Sequence, residues 1–241
     1  VAAHDRIIFA LDVGDMDSAR RWVETLRGHV GWFKVGLELF TAVGPEIVRL
    51  LKDSGIRCFV DLKLHDIPNT VSGAVRSLAR LGADMATLHI SGGKAMLMAA
   101  LDAAQSEAEA GGLRRPKLVG VSVLTSLGRD DLMETGIPRE PHEQADLLAR
   151  LAASCGLDGI VCSASDLPAI RPSLPPSFLV VTPGIRPSWS ESGDQKRISS
   201  PSGAIKAGAD LLVVGRPISG AGDPVEAARR IASEIEAALD E

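Results

Sequence analysis

"RCFVDLKLHDIPNTVSGAVRSLARLGADMATLHI", residues 57–90, holds one full repeat of the chain's organisation. It opens with a β-type run (57–63) and closes with another (85–90). Between them Val71, Ala74, Val75 and Leu78 recur at the 3.6-residue period of an amphipathic helix. Both runs are nearly continuous in apolar residues, which is how strands buried on both faces read. "LGAD" (81–84) ends the helix: Gly82 supplies a left-handed turn and Asp84 leads the chain into the next strand. Strand, helix and strand in that order make a βαβ unit.

The same unit recurs outward in both directions. Further strands are expected at 6–12, 31–36, 117–125, 159–164, 178–184 and 211–216, eight in all. Helical stripes lie between them, among them Ala19, Trp22, Val23 and Leu26, and then Ile47, Val48 and Leu51 between Pro45 and Gly55. The last helix opens on "DPVE", with Asp223 at the N-cap, Pro224 at the first position and Glu226 at the third. "CGLD" (155–158) and "AGAD" (207–210) repeat the helix-to-strand turn of "LGAD". Strand starts are spaced by roughly 29 residues, so the 241 residues accommodate eight βα units. The expected fold is α/β, a (β/α)8 TIM barrel forming one domain over 1–241. A doubly wound sheet would more often carry a glycine-rich turn after the first strand, and "LDVGDMD" is not one.

Composition narrows the function classes. Hydrophobic residues make up 45% and charged residues 24%, an ordinary soluble globular balance. Net charge is −5, with no Lys/Arg block, and aromatics are 3% with no Tyr, so no nucleic-acid partner is expected. Apolar runs fall well short of a membrane span, and "VAAHDRIIFALD" does not read as a secretory signal. Cys58, Cys155 and Cys162 lack metal spacing and fit reduced, buried thiols of a cytoplasmic protein.

A barrel enzyme works at the C-terminal ends of its strands, and the polar residues collect there. Asp12 ends the first strand, and Lys34 lies on the second. The third ends in "DLKLHD" (61–66). With side chains alternating along a strand, Asp61 and Lys63 face the barrel axis, Leu62 and Leu64 face the helices, and Asp66 lies in the loop. His89 and Ser91, Thr125 and Ser126, and Ser163 and Ser165 end the next three. A structural ion pair at the rim would account for part of this, but buried charges are costly even when paired, and their clustering points to chemistry. Asp61, His65, Asp66 and His89 are metal-ligand types, yet two lysines in the same mouth would repel a divalent cation. After the eighth strand, "VVGRPI" (213–218) supplies Gly215 for close backbone approach to an anion and Arg216 for a charged fork; Arg186 joins them from "TPGIR". The long polar loop 187–200, with Gln195, suits a lid, and 126–141 is a second long insertion.

These residues resemble the orotidine 5′-phosphate decarboxylase family over essentially the whole chain. "DLKLHDIPNTV" (61–71) carries its Asp-x-Lys-x-x-Asp signature, and "FALD", "FKVGLELF", "SVLTS", "TPGIR" and "VVGRPI" match in order. The resemblance implies conversion of orotidine 5′-phosphate to UMP and CO2 in pyrimidine biosynthesis, with no cofactor and no metal. Lys34, Asp61, Lys63 and Asp66 would form a charged array, with Lys63 the proton donor. Asp12 and Lys34 would hold ribose hydroxyls, Thr125 would lie by the pyrimidine and Pro183 would line the base pocket. Arg186, Gln195, Gly215 and Arg216 would hold or cover the phosphate. Asp66 and Thr70 would reach into the other subunit of a homodimer. Related magnesium-dependent sugar-phosphate decarboxylases and aldolases share the signature but carry a Glu near the position of Lys34; a catalytically inert barrel is the remaining alternative.

Overall fold

The computed structural model describes residues 2–190 and 197–240. Eight parallel strands close into a ring in sequence order: β1 (Ile7–Ala10), β2 (Trp32–Val35), β3 (Arg57–Leu64), β4 (Met85–His89), β5 (Lys117–Val121), β6 (Gly159–Val161), β7 (Leu179–Thr182) and β8 (Leu211–Val214). The expected strands are found at their expected places, but most stop two or more residues sooner. Asp12, Thr125, Arg186 and Gly215 therefore stand on loops just past the strand ends. The insertion at 126–141 contains a short helix, Arg129–Glu134.

Two apolar layers hold the ring. Between strands and helices lies the larger core, where Val71, Val75 and Leu78 of the helix Pro68–Leu81 and Ile47, Val48 and Leu51 of the helix Glu46–Asp53 are buried. Inside the ring a smaller cluster gathers Ile8, Trp32, Phe59, Met85, Val119, Val181 and Leu211. Reading each strand two residues onward from this plug gives Ala10, Lys34, Asp61, Thr87, Val121, Pro183 and Val213. One step toward the C-terminal ends, the interior thus turns polar on the adjacent strands β2, β3 and β4, through Lys34, Asp61 and Thr87, and stays apolar on the others.

The opposite end is tied by a repeated device. Asp84 stands before β4, and its carboxylate accepts the Cys58 N–H of β3 at 2.9 Å. Its own N–H donates to the Cys58 carbonyl at 3.0 Å. Asp158 does the same to Leu118 of β5 (2.7 and 3.0 Å), and Asp210 to Val180 of β7 (2.8 and 2.9 Å). Each carboxylate also faces a guanidinium: Arg114, Arg115 and Arg171 respectively. The aspartates of the Gly–x–Asp turns therefore do more than redirect the chain; they clamp it to the preceding strand. Before β2 the corresponding residue is Gly31, whose N–H donates to the Ile7 carbonyl at 3.0 Å. No side chain fits there, because a Cβ would lie 2.4 Å from the Asp5 carbonyl oxygen.

Candidate active site

At the polar end a cavity of about 570 Å³ opens between the strand ends. Asp12, Lys34, Asp61, Lys63, Thr125, Pro183, Arg186, Gly215 and Arg216 all line it. Residues assigned from six separate stretches of sequence thus meet in one place.

Four of them form a chain of alternating charge. Lys34 Nζ lies 3.2 Å from Asp12 Oδ1 and 3.7 Å from Asp61 Oδ2. Lys63 Nζ donates to both Asp61 oxygens, each at 3.0 Å. The Lys34 and Asp61 side chains are only 11% and 13% exposed, so water screens this stretch poorly and fixed neighbours replace the hydration shell. The four formal charges sum to zero, which makes so compact a cluster tolerable at the edge of an apolar plug.

β3 is distorted where it carries this chemistry. Its pairing with β4 shifts register between Val60 and Leu64. Lys63 has φ 52°, the one positive value at a non-glycine residue among the described residues. A lysine gains nothing from that conformation and loses about 1–2 kcal/mol to Cβ crowding, so its surroundings must hold it there. Thr87 on β4 does so. Its hydroxyl accepts the Lys63 N–H at 2.8 Å and donates to Asp61 Oδ1 at 3.0 Å, and the side chain is fully buried. Simple alternation correctly places Asp61 and Lys63 together, but a bulge and this hydroxyl, not an ideal strand, set their geometry. Thr87 is absent from the sequence assignment because a threonine in a strand is ordinary; the available signal was its parity with His89 along β4.

Asp66 and Thr70 do not line the cavity; both are exposed, and Asp66 Oδ1 accepts its neighbour Ile67 N–H at 2.6 Å. Gln195 lies outside the described residues. The His65 ring is 5.4 Å from that of half-buried His89. Burial, then His65 and Lys63, hold the His89 imidazole below its ordinary pKa, against the pull of Asp61.

Comparison with known proteins bears on this constellation. Residues 5–231 match the model of the Orotidine 5′-phosphate decarboxylase / HUMPS family. The chain belongs to this family. A family protein of Moorella thermoacetica, named orotidine 5′-phosphate decarboxylase, is 53% identical over 97% of this chain and 93% of its own length. Another of that name from Syntrophotalea carbinolica is 48% identical over 100% of this chain and 99% of its own. Among solved family structures, orotidine 5′-phosphate decarboxylase from Lactobacillus acidophilus superposes with a TM-score of 0.84 at 36% identity, covering 95% of this chain and 98% of that one.

Proposed function

We propose that the protein decarboxylates orotidine 5′-phosphate to UMP and CO2. The observation that carries this reading is the alternating array Asp12–Lys34–Asp61–Lys63 at the floor of a cavity whose far wall presents Arg186, Gly215 and Arg216. Family membership and named relatives over nearly the full length support it.

The charges suit the reaction. Breaking the ring carbon–carboxylate bond leaves its electron pair on a carbon with no adjacent carbonyl to receive it. A cation already in place lowers the energy of that carbanion without reorganising. Lys63 is such a cation, oriented by two hydrogen bonds to Asp61. It then gives one N–H proton to the same carbon, forming the C–H bond of UMP. Asp61 disfavours a bound carboxylate and does not disfavour neutral CO2. Arg216 and Arg186 take the phosphate, with the Gly215 backbone approaching it, so that binding energy remote from the reacting carbon orients the ring. Asp12 and Lys34 take ribose hydroxyls, and Thr125 and Pro183 border the base.

We further assign Asp66 and Thr70 to the active site of a second subunit. Support comes from their exposure beside Ile67, which is 66% exposed, an apolar side chain a partner would cover. One domain over 1–241 is supported by the single closed ring, and a cytoplasmic site by three buried cysteines without disulfides. No helix among the described residues is long and apolar enough to cross a membrane.

The test is loss of orotate absorbance from orotidine 5′-phosphate after exhaustive EDTA treatment. Turnover is expected without added metal. A folded protein that binds UMP but shows no turnover would overturn the reading.

A further inference from the structure

Behind the cavity wall lies a buried ion pair that the proposed chemistry does not use. The Asp166 side chain is 2% exposed and that of Arg197 15%. Arg197 Nη1 donates to both Asp166 oxygens, at 2.6 and 2.7 Å. Its Nη2 donates to the carbonyls of Val123 and Leu124, at 3.2 and 3.3 Å. Neither charged residue lines the cavity, but Val123, Leu124 and Thr125 do. The buried Arg197 Nε has no acceptor among the described residues.

The pair joins three loops. Val123 and Leu124 follow β5, Asp166 follows β6, and Arg197 lies on the segment returning after β7. Two residues further along, that segment pairs with the stretch carrying Arg186: the Arg186 N–H donates to the Ser199 carbonyl at 2.8 Å, and the Ser199 N–H to the Gly184 carbonyl at 3.2 Å. A continuous set of contacts therefore runs from Arg186, through Ser199 and Arg197, to the carbonyls just before Thr125.

Stability alone is a poor reason for this arrangement. Burial raises the Asp166 carboxyl pKa by more than the Arg197 charge and hydrogen bonds lower it. An ion pair that does not recover its desolvation can be exchanged for apolar residues at little cost in stability.

We propose that Arg197, anchored by Asp166, is a positioning residue that locks the phosphate-side Arg186 segment to the Thr125 wall. This rests on the decarboxylase reading above. Phosphate held at one wall then fixes the geometry at the other, where the base binds.

The experiment compares kcat and KM for orotidine 5′-phosphate with kcat/KM for orotidine, which lacks the phosphate, together with melting temperature. Arg197→Lys has one nitrogen where the guanidinium uses two, so it cannot hold the carboxylate and both carbonyls in the same geometry. It is expected to lower kcat on the nucleotide by roughly 10- to 100-fold. The nucleotide-to-nucleoside ratio of kcat/KM should fall with it. The double variant Arg197→Met/Asp166→Leu should melt close to wild type yet show the same reduced ratio. A wild-type ratio in that double variant, or equal losses on both substrates, would overturn the proposal. So would unfolding of both variants, because the pair would then be holding the fold. A wild-type protein inactive on the nucleotide would instead sink the decarboxylase reading, and this inference with it.

Discussion

The two ends of the barrel use the same chemical groups to opposite effect. At the N-terminal end, Asp84, Asp158 and Asp210 each accept a backbone N–H and face an arginine. Those carboxylates complete the hydrogen bonding of strand starts that would otherwise be left open. At the C-terminal end, Asp12 and Asp61 meet Lys34 and Lys63 over a cavity, and Lys63 has a left-handed backbone conformation. A carboxylate bound to backbone stabilises whether or not a ligand is present. A carboxylate that holds an ammonium over empty space stores a field for something that arrives later. The difference between structural and chemical use of a charge thus lies in what its remaining hydrogen-bonding capacity faces.

Substitutions at the two ends should separate activity from stability. The largest effect is expected for Lys63→Ala, which removes both the cation and the proton: turnover should fall by about 10⁴-fold or more. Its melting temperature should stay near wild type, since the apolar plug below is untouched; substantial surviving turnover would remove Lys63 from the proton-donor role. Arg216→Ala comes next, losing a charge-assisted bond of about 1.5–3 kcal/mol, or roughly 10- to 100-fold in UMP affinity by titration calorimetry. Uridine affinity should hardly change, and equal losses for both ligands would exclude Arg216 from phosphate binding. At the other end, Asp158→Ala leaves the buried Leu118 N–H without its side-chain acceptor and should cost about 1–3 kcal/mol in denaturant unfolding. Turnover per folded molecule should be unaltered; a marked drop would mean the ends are not independent.

The smallest effect concerns His89. Its pKa in the folded protein is depressed from 6.5. Below that pH the unfolded chain takes up a proton that the folded chain resists, so stability falls as the solution is acidified. His89→Asn should make the decline in melting temperature below pH 6.5 shallower, and an unchanged acid slope would show that the imidazole does not contribute to it.

Much of the chemical end was legible in the sequence because it obeys local rules. Strands buried on both faces stand out as apolar runs, and alternation puts Asp61 and Lys63 on the inner face once the ring is assumed. The resemblance of "DLKLHDIPNTV" (61–71) to a known family then supplied roles that spacing alone could not. What escaped was geometry set by partners far along the chain. Thr87 meets Asp61 across 26 residues, and Arg197 meets Asp166 across 31. Neither contact imposes a periodicity on the sequence between its partners. The Gly–x–Asp turns were read correctly as turns, but the strand each carboxylate would grip lies one helix earlier. The left-handed Lys63 had no signal at all, since the residue types that mark such a backbone are glycine and asparagine.

The clamps also bear on the order in which the ring assembles. They link β3 to β4, β5 to β6 and β7 to β8, and the Gly31 contact links β1 to β2, dividing the barrel into four two-strand quarters. Within a quarter the clamped partners are 26, 40 or 30 residues apart, whereas the Arg6 to Asp210 bond beside the β1–β8 seam spans 204. Loop-closure entropy makes the longer connection costlier by (3/2)RT ln(204/30), about 1.7 kcal/mol. The quarters should therefore form early and the β1–β8 seam last. Pulsed hydrogen exchange during refolding should protect the Leu118 and Val180 amides before the amides bonded across the β1–β8 seam, and the reverse order would show that the clamps follow closure of the ring.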